Sequence, residues 1–113
     1  MNEEVIFAII LHAGNARAEA YEALRAAQAG EFDKATEHLR QAEEEVGAAH
    51  RVQADMIQQE AQGNKVEISL LTVHAQDHLM TALSEKNLIE NMIEMHKTIK
   101  QLSTKLEAVT CQA

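Results

Sequence analysis

Apolar side chains recur at steps of three and four residues along three long segments of the chain, the spacing of one face of an α-helix. The segments span about 3–28, 32–62 and 66–106, and a tail of about 107–113 follows. Gly30 and Gly63 stand between the segments, where glycine commonly ends a helix. Asn64, with Glu67 three residues later, resembles a capping box and predicts that the third helix begins near Val66.

Short connections between the segments determine how the predicted helices pack. Turns of two to four residues force consecutive helices to lie antiparallel. The chain contains no proline, so long helices are uninterrupted, and an aromatic content of 3% is low for a β-sheet protein. The sequence therefore predicts a single all-α domain over residues 1–113, an antiparallel three-helix bundle.

Charge and composition exclude several classes of partner and site. The net charge of −8 repels a phosphate backbone, so nucleic acid is not expected as a partner. The longest apolar run, Val5 to Leu11, has seven residues. A transmembrane helix needs about 20, so no direct membrane insertion is expected. The first residues are acidic, unlike a signal peptide, and we expect a cytoplasmic protein. The single cysteine, Cys111, excludes an internal disulfide and a cysteine-based zinc site.

The third segment carries two apolar stripes. One consists of Leu71, Ala75, Ala82, Ile89 and Ile93, which suit the core of a three-helix bundle. The other, spaced by three and four residues, consists of Leu70, His74, Asp77, Thr81, Ser84, Leu88, Met92, Met95, Ile99, Leu102 and Leu106. A small bundle has one core, so a second stripe implies a second burial partner, most simply another copy of the chain. The stripe predicts a homo-oligomer and does not choose between a dimer and a trimer.

A polar cluster interrupts the second stripe. His74, Asp77, His78 and Thr81 follow the spacing i, i+3, i+4, i+7 and share one helix face. Burial of a histidine and an aspartate in a helix seam is costly unless they are paired, bind a metal or face a crevice. The cluster is therefore the candidate functional site.

Four interpretations of the cluster are open from the residues alone. The first is a set of polar residues that only fixes the register of an oligomer, and the second is a metal site. The third is a His–Asp hydrolytic site, and the fourth is a histidine that acts as a nucleophile in covalent chemistry. No histidine follows a glutamate by three residues, which disfavours a di-iron centre. The chain has no serine elbow and no suitable cysteine, which disfavours hydrolysis. Phosphoryl transfer through histidine would need an accessible imidazole and partners that deliver and remove the group.

The segment Leu71–Thr81, with the letters LTVHAQDHLMT, closely resembles the active-site helix of the lactose/cellobiose-family IIA proteins of the bacterial sugar phosphotransferase system. Three further segments resemble the same family: 13–17 (AGNAR), 29–35 (AGEFDKA) and 48–53 (AAHRVQ). The resemblance covers about residues 3–100. It implies three-helix chains that assemble as a homotrimer, a nine-helix bundle.

The resemblance also implies a role for each residue of the site. His74 is the phosphorylated residue, which accepts a phosphoryl group from HPr and donates it to a cysteine of the cognate IIB protein, the partner of membrane IIC. Asp77 matches a position near the threefold axis that binds a metal ion, taken as one Mg²⁺ per trimer. His78 and Gln76 match positions that border the site and support catalysis.

We therefore expect a phosphohistidine carrier coupled to uptake of a β-linked sugar of the cellobiose or lactose type. The sugar is selected by IIC, and overall resemblance favours the cellobiose or β-glucoside branch. The alternative is a non-catalytic homo-oligomeric helical adaptor or regulator in which the polar cluster only sets register. We also expect an apolar ring around His74, drawn from Leu79, Met80, Leu83 and the region of Gly14, although these residues equally suit the core.

Overall fold

Three helices make up the fold in the computed structural model, which describes residues 3–111. They are α1 (Glu3–Gln28), α2 (Phe32–Ala61) and α3 (Leu70–Cys111). No strand occurs within the described range, so the predicted all-α class is confirmed. The molecule measures 72 × 21 × 20 Å because α3 alone has 42 residues. None of the three helices combines the length and the hydropathy that crossing a bilayer requires.

Glycines end the first two helices by the same hydrogen-bond pattern. Gly30 has φ +78° and Gly63 has φ +93°, a left-handed conformation that favours glycine. The amide of Glu31 donates to the carbonyl of Ala26 over 2.8 Å, and the amide of Asn64 donates equivalently to Gln59 over 3.1 Å. These bonds satisfy carbonyl groups that have no partner within the helix. The predicted helix stops at Gly30 and Gly63 are therefore confirmed.

The start of α3 differs from the sequence prediction. Asn64 does not open the helix, because its amide is used to close α2. Residues 64–69 form no regular structure, and α3 begins at Leu70 after Ser69, whose Oγ accepts a hydrogen bond from the Thr72 amide over 3.2 Å. Ser69 therefore supplies the cap that the sequence analysis assigned to Asn64.

The far end of α3 also differs from the prediction. The helix continues to Cys111 instead of ending near Leu106, so the tail predicted from residue 107 is helical as far as the structure describes it. No glycine or proline interrupts 107–111, and the Thr110 hydroxyl donates to the carbonyl of Leu106. Residues 1–2 and 112–113, parts of the predicted domain and tail, lie outside the described residues.

Hydrogen bonds between histidine and glutamate side chains fix the register between α1 and α2. His12 Nδ1 lies 2.6 Å from Glu45 Oε2, and His38 Nδ1 lies 2.6 Å from Glu19 Oε2. From His12 to Glu19 the position in α1 rises by seven residues, while the partner in α2 falls by seven, from Glu45 to His38. The two helices are therefore antiparallel. These histidines thus have carboxylate partners within the bundle and are not free for chemistry.

The third helix runs antiparallel to α2 and parallel to α1. Gln53 pairs with Gln76 and Glu43 with Lys86, which again is an antiparallel register. Arg17 Nε lies 2.5 Å from Glu85 Oε2, and this ion pair ties α1 to α3. Within α1, the Arg17 guanidinium also lies over the Tyr21 ring. The hydrogen bond and the charge of Glu85 raise the pKa of Arg17 above its ordinary value. α1 contacts both other helices extensively, whereas α2 and α3 touch less.

The core is built mainly from alanine. Of the 18 buried hydrophobic residues among those described, eleven are alanine, and the larger ones are Ile6, Ile9, Val46, Met56, Leu79, Ile89 and Ile93. Alanine lets helix backbones approach closely but buries little apolar surface per residue. The single chain is therefore a closely packed bundle with a thin core.

Candidate functional site

Two stripes on α3 face in different directions. The inner stripe is buried against α1 and α2 and consists of Thr72, Ala75, Leu79, Ala82, Lys86, Ile89 and Ile93. The outer stripe is the second stripe predicted from the sequence, from Leu70 to Leu106, and every one of its residues is exposed. The predicted separation of α3 into a core face and an unpartnered face is confirmed for the single chain.

His74 lies on the outer stripe, one turn into α3. Its imidazole is exposed, and the half-buried ring of His78 stands against it edge-on, with 4.5 Å between centroids and an interplanar angle of 90°. The spacing i, i+4 on one helix produces this contact. His78 therefore restricts the rotation of the His74 ring, while the exposed face leaves the ring open to an incoming group.

Asp77 and Thr81 complete the exposed part of the cluster. The side chain of Asp77 makes no hydrogen bond or ion pair with any other described residue. Within residues 3–111, no three His, Cys, Asp or Glu side chains come together in a way that would hold a metal ion. A hard divalent cation takes about six oxygen ligands, and one carboxylate offers two at most. One chain therefore fits a metal only if Asp77 shares it with other copies.

Gln76 faces away from His74. Its side chain is half-buried toward α2, where its Oε1 accepts a hydrogen bond from Gln53 Nε2 over 2.5 Å. The structure thus brings His78 to His74 and directs Gln76 to the interface between α2 and α3. Sequence reasoning did not assign a role to Gln53, since its pairing with Gln76 depends on the helix register.

The apolar surroundings of His74 differ from the predicted ring. Leu79 is 1% exposed and belongs to the core, which was the second of its two predicted places. Leu83 is half-buried and Met80 is 52% exposed. Leu70 and Val73, which the prediction omitted from the ring, are 85% and 52% exposed and adjoin His74 on the helix surface.

An apolar groove opens beside this surface, between the end of α2 and the start of α3. Its volume is about 290 Å³, and it is lined by Met56, Ile57, Glu60, Val66, Ile68, Thr72, Val73 and Gln76. The groove and the exposed Leu70 give the N-terminal end of α3 a continuous apolar surface next to an accessible imidazole.

The candidate site is an exposed imidazole on the surface of α3, beside exposed apolar side chains, in a protein whose described residues form helices and no strand. The chain matches the family described as the lactose/cellobiose-specific IIA subunit of the phosphotransferase system over residues 4–97. The chain belongs to this family, and it is a phosphotransferase component of that system. The family resemblance inferred from residues 71–81 is confirmed.

Relatives and solved structures agree with this assignment. The chain is 47% identical over 104 residues to the lichenan-specific phosphotransferase enzyme IIA component of Bacillus subtilis, covering 89% of this chain and 94% of that protein. The crystal structure of the cellobiose-specific enzyme IIA from Bacillus anthracis superimposes with a TM-score of 0.86 at 43% identity, covering 89% and 94% of the two chains. The IIA(chitobiose) of Escherichia coli, solved in complex with HPr, superimposes with a TM-score of 0.76 at 40% identity, covering 87% and 95%.

Proposed function

We propose that this IIA component carries a phosphoryl group on His74, received from the phosphohistidine of HPr and donated to a cysteine of the cognate IIB protein. The observation that carries the proposal is the exposed His74 imidazole, oriented by His78 on the rigid surface of α3. Both steps occur in the cytoplasm, and IIB delivers the phosphoryl group to the sugar that membrane IIC transports.

The chemistry is an exchange of one bond to phosphorus for another. A nitrogen of His74 forms a bond to the phosphorus as the bond to the HPr imidazole breaks and its electron pair returns to that ring. In the second step a cysteine thiolate of IIB attacks the same phosphorus and the His74 nitrogen leaves. Because helix α3 holds His74 in place, the main contribution of this chain is positioning. His78 supports catalysis by limiting the orientations of the His74 ring.

Docking of both partners is supported by the apolar surface next to His74. Leu70 and Val73 offer apolar contact area, and the chain as a whole carries charge −8, which suits a charged rim around an apolar patch. A related IIA protein, that for chitobiose, has been solved in complex with HPr. The two partners would use an overlapping surface in turn, so each contact is transient.

We further propose that the functional form is a homotrimer in which three outer stripes meet around a threefold axis. Fifteen large hydrophobic residues among those described are more than a third exposed, far more than a bundle of this size leaves without a partner. A second exposed face on α1 carries Phe7, Leu11 and Gly14, and nothing lies within 4 Å of a side chain added at Gly14. Neighbouring helices can approach closely there.

Three Asp77 carboxylates would face one another near that axis, and they would repel each other. A single Mg²⁺ shared by the three copies supplies the oxygen-binding positive charge that removes this repulsion. Gln76, which faces away from His74, would support the site indirectly, because its bond with Gln53 holds the start of α3 against α2. The sugar is of the cellobiose or lactose type, in line with the names of the relatives, which include lichenan- and lactose-specific components.

The carrier role is tested by intact-protein mass after incubation with phosphoenolpyruvate, enzyme I and HPr. The unmodified chain should gain one acid-labile phosphoryl group, and His74→Gln should gain none while keeping its helical circular dichroism and its oligomeric mass. His50→Gln is the matched control, because His50 is exposed on α2, and it should be phosphorylated normally. No mass gain in the unmodified chain with active partners would favour the non-catalytic oligomeric adaptor.

The metal role is tested with Asp77→Asn. This substitution removes the three facing carboxylates, and with them both their mutual repulsion and the negative charge that the cation would neutralise. The thermal midpoint of the unmodified oligomer should therefore fall on chelation, and that of Asp77→Asn should not respond to a chelator. Asp55→Asn, an exposed carboxylate on α2, should keep the response of the unmodified chain. An unmodified oligomer that is indifferent to chelation and to Mg²⁺ would contradict the shared-metal proposal.

A further inference from the structure

The first two turns of α3, which carry His74, are anchored to the bundle mainly by small side chains. Up to residue 78, the buried residues of α3 are Thr72 and Ala75, and Leu71 is half-buried. The first large side chain of α3 that is fully buried is Leu79, which is 1% exposed and lies five residues after His74. Because small side chains bury little apolar surface, packing alone holds this end of the helix weakly.

The segment before α3 gives the start of the helix no regular support. Residues 64–69 form no regular structure, and the apolar groove, lined by Ile57 and Val73 among others, separates the end of α2 from the start of α3. Of the three helix pairs, α2 and α3 have the least contact. A specific contact between these two helices is therefore needed to fix the position of His74.

One hydrogen bond supplies such a contact. Gln53 Nε2 donates to Gln76 Oε1 over 2.5 Å, and both side chains are half-buried. Gln76 lies two residues after His74 and lines the groove. Among the described residues, the next polar side-chain contact between α2 and α3 is that of Glu43 with Lys86, roughly 15 Å further along α3 at 1.5 Å per residue. The bond between the glutamines is thus the polar tie of α2 to the part of α3 that carries His74.

We propose that Gln53 is a positioning residue of the phosphoryl transfer and that it acts through Gln76. Its amide fixes the first turns of α3 against α2, and with them the direction in which the His74 imidazole meets a docked partner. The inference rests on the carrier role proposed for His74, and it adds a residue of α2 that bonds to neither the imidazole nor the transferred group. Transfer between two docked proteins requires aligned reacting atoms, so a start of α3 that fluctuates lowers the rate of transfer.

The rate of transfer from phosphorylated HPr tests this role. In a single turnover at saturating HPr, Gln53→Leu should slow phosphorylation of His74 about 3- to 10-fold, because a hydrogen bond of this kind shifts an equilibrium by about that factor. The HPr concentration that gives half the maximal rate should not change. Gln53→Asn keeps the amide on a side chain too short to reach Gln76 and should be equally slow. Gln53→Glu should restore most of the rate, because the Gln76 amide can turn round and donate to the new carboxylate.

Gln59→Leu is the matched control. Gln59 is exposed on the same helix and its side chain donates to Asp55 within α2, so this substitution should leave the rate unchanged. Hydrogen exchange, followed by mass spectrometry, gives a second measurement that needs no partner protein. The backbone amides of residues 73–78 should exchange faster in Gln53→Leu than in the unmodified chain, Gln53→Glu or Gln59→Leu, and those of α1 should exchange alike in all four.

An unchanged rate of transfer in Gln53→Leu overturns the positioning role. A slow Gln53→Leu with normal exchange at residues 73–78 also overturns it, and so does a Gln53→Glu as slow as Gln53→Leu, since the hydrogen bond would then not be the cause. An equal loss of rate in Gln59→Leu has the same meaning. An unmodified chain that accepts no phosphoryl group contradicts the carrier role itself, whereas equal transfer to the unmodified chain and to Gln53→Leu contradicts only the role of Gln53.

Discussion

The inner and outer stripes of α3 have the same helical spacing but differ in burial. The inner stripe consists mainly of alanine and isoleucine with one lysine, and it is buried in the single chain. The outer stripe begins with Leu70, carries His74 and Asp77 toward its start and leucine, methionine and isoleucine from Leu88 onward, and it is exposed throughout. The difference lies in what covers each stripe, and the inner stripe is covered by α1 and α2.

This comparison shows that the usual relation between side-chain size and burial is reversed on these faces of the single chain. Small residues fill the core, and the larger aliphatic side chains of α3 stay outside, for example Leu88, Met95 and Leu102. A chain selected to fold alone would place its largest apolar residues inside, where each contributes about 1.5–3 kcal/mol. In the proposed homotrimer, the large residues of the outer stripe serve association between chains, and the polar residues among them serve the proposed chemistry at that same face.

The largest effect is expected from charges placed on the apolar half of the outer stripe. Leu88→Asp with Met92→Asp would put several carboxylates at the proposed axis, where an unpaired buried charge costs several kcal/mol. Light scattering should show single chains instead of oligomers, with helical circular dichroism retained because neither side chain supports the core of its own bundle.

A control with the same added charge makes this prediction specific. Asn87→Asp with Gln101→Asp places two carboxylates at exposed positions off the stripe and should leave the oligomeric mass unchanged. An oligomer that withstands the substitutions at Leu88 and Met92 would mean that chains associate through another face. The proposal that the outer stripe forms the interface between chains would then be contradicted.

Periodicity was sufficient to predict the two stripes and the fold, because the spacing of side chains on a helix is a local property. It was also sufficient for the stops at Gly30 and Gly63, where a left-handed residue is needed. It failed at the start of α3, since Asn64 was available both to cap a new helix and to close the old one. The closing bonds of α2 use its amide, and Ser69 takes the capping position.

The candidate site was harder to predict from the sequence than the fold. The pairing of His74 with His78 follows from their i, i+4 spacing, and the sequence analysis placed both in one cluster. The bond between Gln53 and Gln76 joins two helices and depends on their register, for which the sequence has no local indicator. Leu79 was assigned to two faces for the same reason, and packing against α1 and α2 places it in the core.

A smaller effect, of a different kind, should come from truncating one residue of each stripe. Ile89→Ala removes a 3%-exposed side chain and should lower the free energy of unfolding by about 2–5 kcal/mol at every chain concentration. Met92→Ala should lower it by an amount that depends on chain concentration, since its side chain is 42% exposed in the single chain and would be covered further in the proposed oligomer. Urea unfolding over a hundredfold range of concentration measures both, and equal concentration dependence in the two variants would contradict the separation of the stripes.

The smallest effect is expected at the one charged residue of the inner stripe. Lys86 is 5% exposed, and its Nζ contacts Glu43 and lies 2.9 Å from Glu90 Oε1. Burial lowers the pKa of this lysine, but the hydrogen bonds to the two carboxylates outweigh burial and raise its pKa above the ordinary 10.5. Because the folded pKa is above the unfolded one, the ion pairs stabilise the fold below about pH 10.5 and cease to do so as the pH rises through the folded pKa.

Lys86→Met keeps the aliphatic length of the side chain and removes the charge. The two glutamates are about half exposed or more, so water can hydrate them again, and we expect a loss of about 1 kcal/mol at pH 7. The loss should shrink as the pH rises through the folded pKa, where the native lysine gives up its own charge. Lys97→Met, which removes a surface pair with Glu94, should change stability by less than about 0.5 kcal/mol. A gain in stability for Lys86→Met at pH 7 would show that the inner stripe prefers to be wholly apolar, and that Lys86 fixes the register of α2 on α3 at the expense of stability.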